Sequence, residues 1–348
     1  MADELNQRER TVLHYVVHDF IETATPIGSR YISKRHEDVL GLSSASIRNV
    51  MSDLEYLGYI NHPHTSAGRI PTDLGYRFYL DALMRKEGPS ASEQLAIHEA
   101  ILSGGAEDDL LRDSSRVMGT ISRQLCVITS PNLSSGTLEK LELVPLVGTR
   151  ILVIISIKSG LVRTIMMEVA GEFIRQKLDD VARLLNERLG GLTIQEIRDT
   201  FFERVKDSAD EGTGLIRLFI ESVDKLFPVS PTDKLHISGA DTVIEQPEFV
   251  NADDFRGIIE LINNEEIIIH VLAKHETPPP GVKVVIGEEN NDAKLASYSV
   301  ITSSYTTGEV TGTIGMIGPK RMNYSRLVPL VDFVARTISD MFTPTKKQ

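Results

Sequence analysis

The chain has 348 residues, enough for two or three domains with cores of their own, and its 41% hydrophobic content without any biased tract excludes wholesale disorder. A single cysteine, Cys126, excludes a disulfide framework and suits a reducing cytosol; its apolar run, Leu125–Ile128, marks it as a small core residue. Net charge is −12, but residues 1–86 hold 10 Lys/Arg against 11 Asp/Glu, so the acidity lies in the rest of the chain and charge by itself does not argue for a nucleic-acid partner.

The N-terminus, MADELNQRER, is charged from residue 3 and lacks the apolar stretch of a secretory signal. The longest apolar run, near Ile151–Ile155, is too short to span a bilayer, so the expectation is a cytoplasmic protein without membrane contact. Asn6, with Glu9 three residues on, predicts a capping box. Val12/Leu13, Val16/Val17 and Phe20/Ile21 then recur every four residues, the stripe of an amphipathic helix. Thr25-Pro26-Ile27-Gly28 reads as a loop. Ser29 can cap a second, short helix through about Arg35, Gly41 breaks the chain, and Ser43 can cap a third helix.

In that third helix Ile47, Val50, Met51 and Leu54 fall at i, i+3, i+4 and i+7, which predicts one buried face. The opposite face carries Ala45, Arg48, Asn49 and Ser52. A helix face meant only for water more often carries Glu and Lys; small polar groups with one Arg and one Asn suit a major groove, where Asn pairs with adenine and Arg with guanine or phosphate. Taken alone, the helix reads more readily as an ordinary solvated surface. The residues after it favour the groove. Gly58 ends the helix, Tyr59-Ile60 reads as a strand, 61–68 as a polar turn, and Arg69-Ile70 as a returning strand stopped by Pro71. Three helices and a hairpin are the order of a winged helix-turn-helix. The candidate DNA contacts are Ser29, Arg30, Ser43, Ser44, Ala45, Arg48, Asn49 and Ser52 on the helices, and His62, His64, Thr65 and Arg69 on the hairpin. Thr72 caps a further helix, expected to turn Leu74, Phe78, Ala82 and Leu83 inward. His62-Pro63-His64 has no Cys or acidic partner at ligand spacing, so no metal site is expected there.

The run GLSSASIRNVMSDLEYLGYINHPHTSAGRIPTDLGYRFYLD, Gly41 to Asp81, closely resembles the heat-inducible transcription repressor HrcA family. So do TATPIGSRYISKR (Thr23 to Arg35), GTRILVIISIKSGLVRTIMMEV (Gly148 to Val169) and VIGEEN with GTIGMIGPKRMNYSR (Val285 to Arg326). The matches run in the family's order over nearly the whole chain. The resemblance implies a repressor of chaperone operons that binds double-stranded DNA at an inverted repeat, the CIRCE operator, as a homodimer. It also implies that the GroEL chaperonin keeps the repressor active and releases it when occupied by heat-damaged protein.

Downstream, residues 87–92 read as a linker, followed by a helical stretch interrupted at Gly104-Gly105. Strands are expected at Leu138–Leu146, Arg150–Ile157 and Leu161–Val169, with Lys158-Ser159-Gly160 as a hairpin turn. Helices are expected at 174–190, 193–205, Leu215–Leu226 and 254–274, separated by a turn-rich 231–254. Late strands at Lys283–Ile286, Ala296–Ser303 and Gly312–Ile317 precede a final helix, Tyr324 to Met341. Strands on both sides of a helical block suggest one mixed sheet with an insertion. With the resemblance, the expected fold is α+β: a winged helix at 1–86, a GAF-like mixed α/β domain at 87–171 and 281–348, and an inserted dimerising domain at 172–280.

Gly312, Gly315 and Gly318 lack the GxxxxGK[ST] spacing and sit in a strand-like context, so turns and packing are expected there rather than a phosphate loop. No G-x-S-x-G elbow, H-E-x-x-H pair or acid/base spacing is present, so neither a catalytic site nor a cofactor is expected. The competing reading keeps the same DNA-binding head and places a small-molecule ligand in the GAF-like domain.

Overall fold

The capping box forms at the chain's first helix. Asn6 Oδ1 accepts the backbone N–H groups of Arg8 and Glu9 at 2.9 and 3.1 Å, and the Glu9 carboxylate accepts that of Asn6 at 2.8 Å. Helix α1 (Gln7–Thr23) buries Val12, Leu13, Val16, Val17 and Ile21. The computed structural model describes residues 5–63, 68–103, 107–169, 175–208, 214–227, 235–274 and 281–342. After α1 come α2 (Ser29–Arg35), α3 (Glu37–Leu40) and α4 (Ser44–Tyr56). Gly28, not Ser29, holds the cap position of α2; Ser29 is already helical and buried. Ser43 caps α4, its hydroxyl accepting the Ser46 N–H at 3.1 Å; of the expected inward face, Ile47, Met51 and Leu54 are buried and Val50 is half-buried.

Strand β1 (Ile60–Asn61) pairs antiparallel with β2 (Ile70–Pro71). Two expectations change here. Ile27, expected in a loop, forms a β-bridge with Arg69, each N–H meeting the other's carbonyl at 2.8 Å. Pro71 lies inside the strand opposite Ile60, since a residue without an N–H is tolerated at the end of so short a ladder. Helix α5 (Asp73–Phe78) starts at the Thr72 cap, but it buries Gly75 and Tyr76, continues in a wider turn that buries Tyr79, and leaves Leu74 46% exposed. Ala82 is exposed as well. The cause is a backbone contact: a Cβ at Gly75 would lie 2.0 Å from the Tyr59 carbonyl oxygen, so the helix seats its glycine there and the tyrosines follow.

The chain continues through α6 (Ala91–Ser103), α7 (Glu107–Ser122) and β3 (Leu125–Thr129). Next come β4 (Leu138–Pro145), β5 (Arg150–Ile157) and β6 (Val162–Glu168), a three-stranded antiparallel sheet in that order. Helices α8 (Arg175–Leu189), α9 (Ile194–Val205), α10 (Leu215–Glu221) and α11 (Val223–Leu226) come after the sheet. One core joins that sheet to those helices: Leu141, Val153, Ile155 and Met167 share it with Leu185, Ile197, Phe201 and Phe219. The last elements are β7 (Leu235–Ser238), α12 (Ala240–Val243), α13 (Ala252–Asn263), α14 (Glu265–Lys274), β8 (Val282–Ile286), β9 (Tyr298–Thr307), β10 (Val310–Pro319) and α15 (Tyr324–Phe342). A five-stranded sheet has the order β7-β3-β10-β9-β8, with β10 antiparallel to β3 and β8 antiparallel to β9.

The molecule divides into two compact units. The first comprises Met1–Ile128, His236–Ser303 and Ile314–Thr337; the second comprises Thr129–Leu235, Ser304–Thr313 and Ile338–Gln348. This differs from the expected insertion at 172–280. The strands at 138–168 belong with helices α8–α11, because their apolar face is covered by those helices, while α13 and α14 group with the first unit. The expected single mixed sheet is two sheets, and β3, whose five residues are all buried, fills a place in the five-stranded sheet beside the later strands. Among the described residues, no helix is long and apolar enough to cross a membrane.

Gly75→Ala is therefore expected to destabilise the first unit by more than about 1 kcal/mol, since backbone must move to admit the methyl group. Gly88→Ala, with open space around it, is expected to stay within about 0.5 kcal/mol. Urea unfolding of both variants checks this, and equal midpoints would contradict it.

Candidate nucleic-acid interface

The hydrophobic face of α4 fixes what its other face shows. With Ile47, Met51 and Leu54 turned in, Ala45, Arg48, Asn49 and Ser52 are exposed. Arg48 and Asn49 make no side-chain hydrogen bond or ion pair with another described residue, whereas the Ser52 hydroxyl donates to the Arg48 carbonyl at 3.1 Å. Tyr56 extends this stripe by one turn and is 92% exposed. The sequence reading missed it, although the 45, 49, 52, 56 spacing carries the signal.

The serines are occupied in holding helices together. Ser29 and Ser44 meet hydroxyl to hydroxyl at 3.2 Å, tying the start of α2 to the start of α4, and Ser43 is engaged in capping. Arg30, beside them, is exposed. Behind this surface lies Asp19, fully buried, with His36 Nε2 at 2.9 Å and Arg35 Nε at 3.6 Å. His18, Asp19 and Glu22 bring ligand-type atoms within 4.8 Å of one another. Arg35 also reaches Glu22 at 2.5 Å, so one guanidinium of the protein already bridges the two carboxylates.

The hairpin is tied back to α4. Glu55, on the flank of that helix, receives His62 Nδ1, and its other oxygen receives Arg69 Nη2 at 2.7 Å. Two of the four expected hairpin contacts therefore share one carboxylate that the sequence reading did not single out. His64 and Thr65 lie outside the described residues. Arg48, Asn49, Ala45 and Ser52 are thus one outward surface, and His62 and Arg69 join it through Glu55.

The family model for the HrcA protein C-terminal domain matches residues 108–328. The chain belongs to the HrcA family. A heat-inducible transcription repressor HrcA from Chlorobium phaeobacteroides strain BS1 is 41% identical over 350 residues, covering 97% of this chain and 99% of that protein. One from Prosthecochloris aestuarii is 39% identical, covering 98% of each. A solved structure described only as a hypothetical protein, at 2.2 Å, is similar in fold with TM-score 0.61 and 25% identity, covering 98% of this chain and 99% of that one.

In this HrcA-family head, Glu55 has a titratable role. Partial burial works against its ionisation, but the His62 and Arg69 bonds outweigh it and hold the carboxyl below its ordinary value of 4.5. A depressed folded-state value means that the stabilisation is complete above pH 4.5 and fades as pH falls through the lower folded value. Acidification below the ordinary carboxylate range is therefore expected to detach the hairpin from α4. Glu55→Gln should detach it at neutral pH. The ring resonances of His62, followed by NMR against pH, check both; a pH profile unchanged by the substitution would count against the tie.

Proposed function

We propose that this chain represses chaperone operons by holding an inverted-repeat CIRCE operator as a dimer, with α4 of each copy in a major groove and the β1–β2 hairpin as a wing. The observation that carries this is the outward stripe Ala45, Arg48, Asn49 and Ser52 on a helix whose opposite face is packed, set beside a hairpin tied to that helix. The relatives' name, heat-inducible transcription repressor, agrees with it. On this reading residues 1–86 are a winged helix-turn-helix, and the five-stranded sheet with its helices is a GAF-like body. Asn49 reads a base edge, Arg48 a guanine or a phosphate, and Arg30, His62, His64, Thr65 and Arg69 approach the backbone.

A single winged helix reads only a few base pairs, so two-fold pairing doubles the contacts. The second unit supports pairing through the outer face of its three-stranded sheet. There Val144 is 39%, Val162 61% and Met166 51% exposed, in register with Leu152 and Ser156 of the middle strand. Heat control would come from the GroEL chaperonin: a marginally stable DNA-competent state is restored by free chaperonin and lost when heat-damaged protein occupies it. The setting is the cytoplasm, and the role is regulatory rather than enzymatic.

A gel-shift titration on the inverted repeat and on a scrambled duplex, at one fixed salt concentration and with and without chaperonin, tests the reading. Selective binding that strengthens with chaperonin is the expected result; absence of binding in both conditions would overturn it. Arg48→Ala and Asn49→Ala are each expected to weaken operator binding by about 1–3 kcal/mol without moving the melting temperature. Met166→Asp is expected to shift the protein toward monomer in sedimentation, and a dimer of undiminished stability would exclude this face.

A further inference from the structure

Two motifs that the reading surface does not use come together. One is the helix after the wing, PTDLGYRFYLD; the other comprises the late VIGEEN and GPKRMNYSR runs. All of these lie in the first compact unit. Asp73, the first residue of α5, accepts Lys320 Nζ at 2.6 Å on one oxygen and the Glu288 backbone N–H at 3.0 Å on the other. One turn later Arg77 donates through Nε to Glu289 at 2.8 Å and through Nη2 to the Val284 carbonyl at 2.7 Å. Between them Tyr76 is buried, its ring meeting that of Tyr324 edge-on at 6.0 Å. From the position after Lys320, Arg321 Nη1 donates to the Ile21 carbonyl at the end of α1 at 2.6 Å.

The seat is shaped for these groups. Gly287 has φ +52°, and a Cβ there would lie 2.0 Å from an Asp73 carboxylate oxygen, so a side chain would push Asp73 off the backbone amide. The pairs are partly enclosed rather than waving in water: Asp73 is 24% and Arg77 29% exposed. On the head side, α5 is locked to the end of α4, because the Thr72 hydroxyl donates to the Gly58 carbonyl at 2.6 Å and Gly75 rests on Tyr59. Turning α5 therefore turns α4 with it.

We propose that Asp73 and Arg77 are positioning residues of an electrostatic joint that fixes the direction of the reading helix relative to the five-stranded sheet, and so sets which half-site spacing of an inverted repeat a dimer accepts. This rests on the DNA-binding reading above. The two heads of a dimer engage together only if both point along the duplex at the right separation, so a rigid joint confines tight binding to one spacing. A loosened joint admits several.

The test uses the full chain and duplexes whose half-sites are separated by spacers varied one base pair at a time over a helical turn, with a single half-site as reference. The wild type is expected to prefer one spacing by about tenfold or more. Arg77→Glu is expected to flatten that preference while leaving half-site affinity within about twofold. The pair R77E/E289R should restore it, and Gly287→Ala should flatten it without any change of charge. A spacing profile unchanged in both R77E and G287A overturns the joint. So does a folded R77E/E289R that stays as flat as R77E, and if R77E fails to fold, G287A decides alone. Wild type that binds no half-site sinks the DNA reading instead. Amide exchange across residues 73–78 and 284–289 then tests the joint on the protein alone: faster exchange in G287A supports it, and unchanged exchange overturns it.

Discussion

A buried carboxylate organises the head. Asp19 has no exposure to solvent, and a carboxyl group removed from water is costly unless donors replace the water. His36 and Arg35 supply them, both from the end of α2 and the residue after it, and Tyr15 of α1 stacks on His36 with ring centroids 3.8 Å apart. The demand of one charge thus fixes where α2 crosses α1. The Ser29–Ser44 contact passes that placement to the start of α4, and Glu55 passes it to the hairpin. The exposed face of α4 is the outer end of this chain of polar contacts, while the hydrophobic faces below supply most of the stability but little of the direction.

The same logic continues past the wing. Gly75 on Tyr59 and Thr72 on Gly58 make α5 part of the head, so the groups that Asp73 and Arg77 extend outward belong mechanically to α4. The bonds of Asp73 and Arg77 to the late runs then surround the buried contact between Tyr76 and Tyr324. Such bonds are directional, and they are lost together when geometry slips, unlike apolar contacts, which tolerate sliding.

Legibility in the sequence tracks the range of each signal. The capping residues Asn6, Ser43 and Thr72, three of the four inward positions of α4 and the span of β5 depend on neighbours within a few positions, and they stand as expected. The Ile27–Arg69 bridge joins residues far apart, so Thr-Pro-Ile-Gly could only read as a loop. β3 escaped because all five of its residues are buried, which removes the alternation that marks a half-exposed strand. Strands β4–β6 are legible as strands, but alternation says nothing about which layer covers the apolar side, so the expected grouping of 87–171 differs from the observed unit, in which α8–α11 cover them. The exposure of Arg48 and Asn49 is legible from helical periodicity. Glu55 is not, because a carboxylate flanking a helix resembles any solvated residue until His62 and Arg69 are seen converging on it.

The head's thin positive charge takes on meaning once its cations are located. Arg35, Arg69 and Arg77 are held by carboxylates within the protein, and Arg10 donates to the Leu5 carbonyl beneath the Phe78 ring. Part of the head's basic charge is therefore engaged within the protein. A reader of DNA built this way gains less from nonspecific attraction than a strongly basic one, because counterion release scales with the phosphates neutralised. Its selectivity then has to come from base-edge contacts, from the fit of two heads to one duplex, and from the rigidity that keeps those heads aligned. An acidic repressor is on these terms no contradiction. On the proposed reading, the orientation of the head decides between bound and free, and the ion pairs of α1, α2 and α5 are the contacts placed to set it.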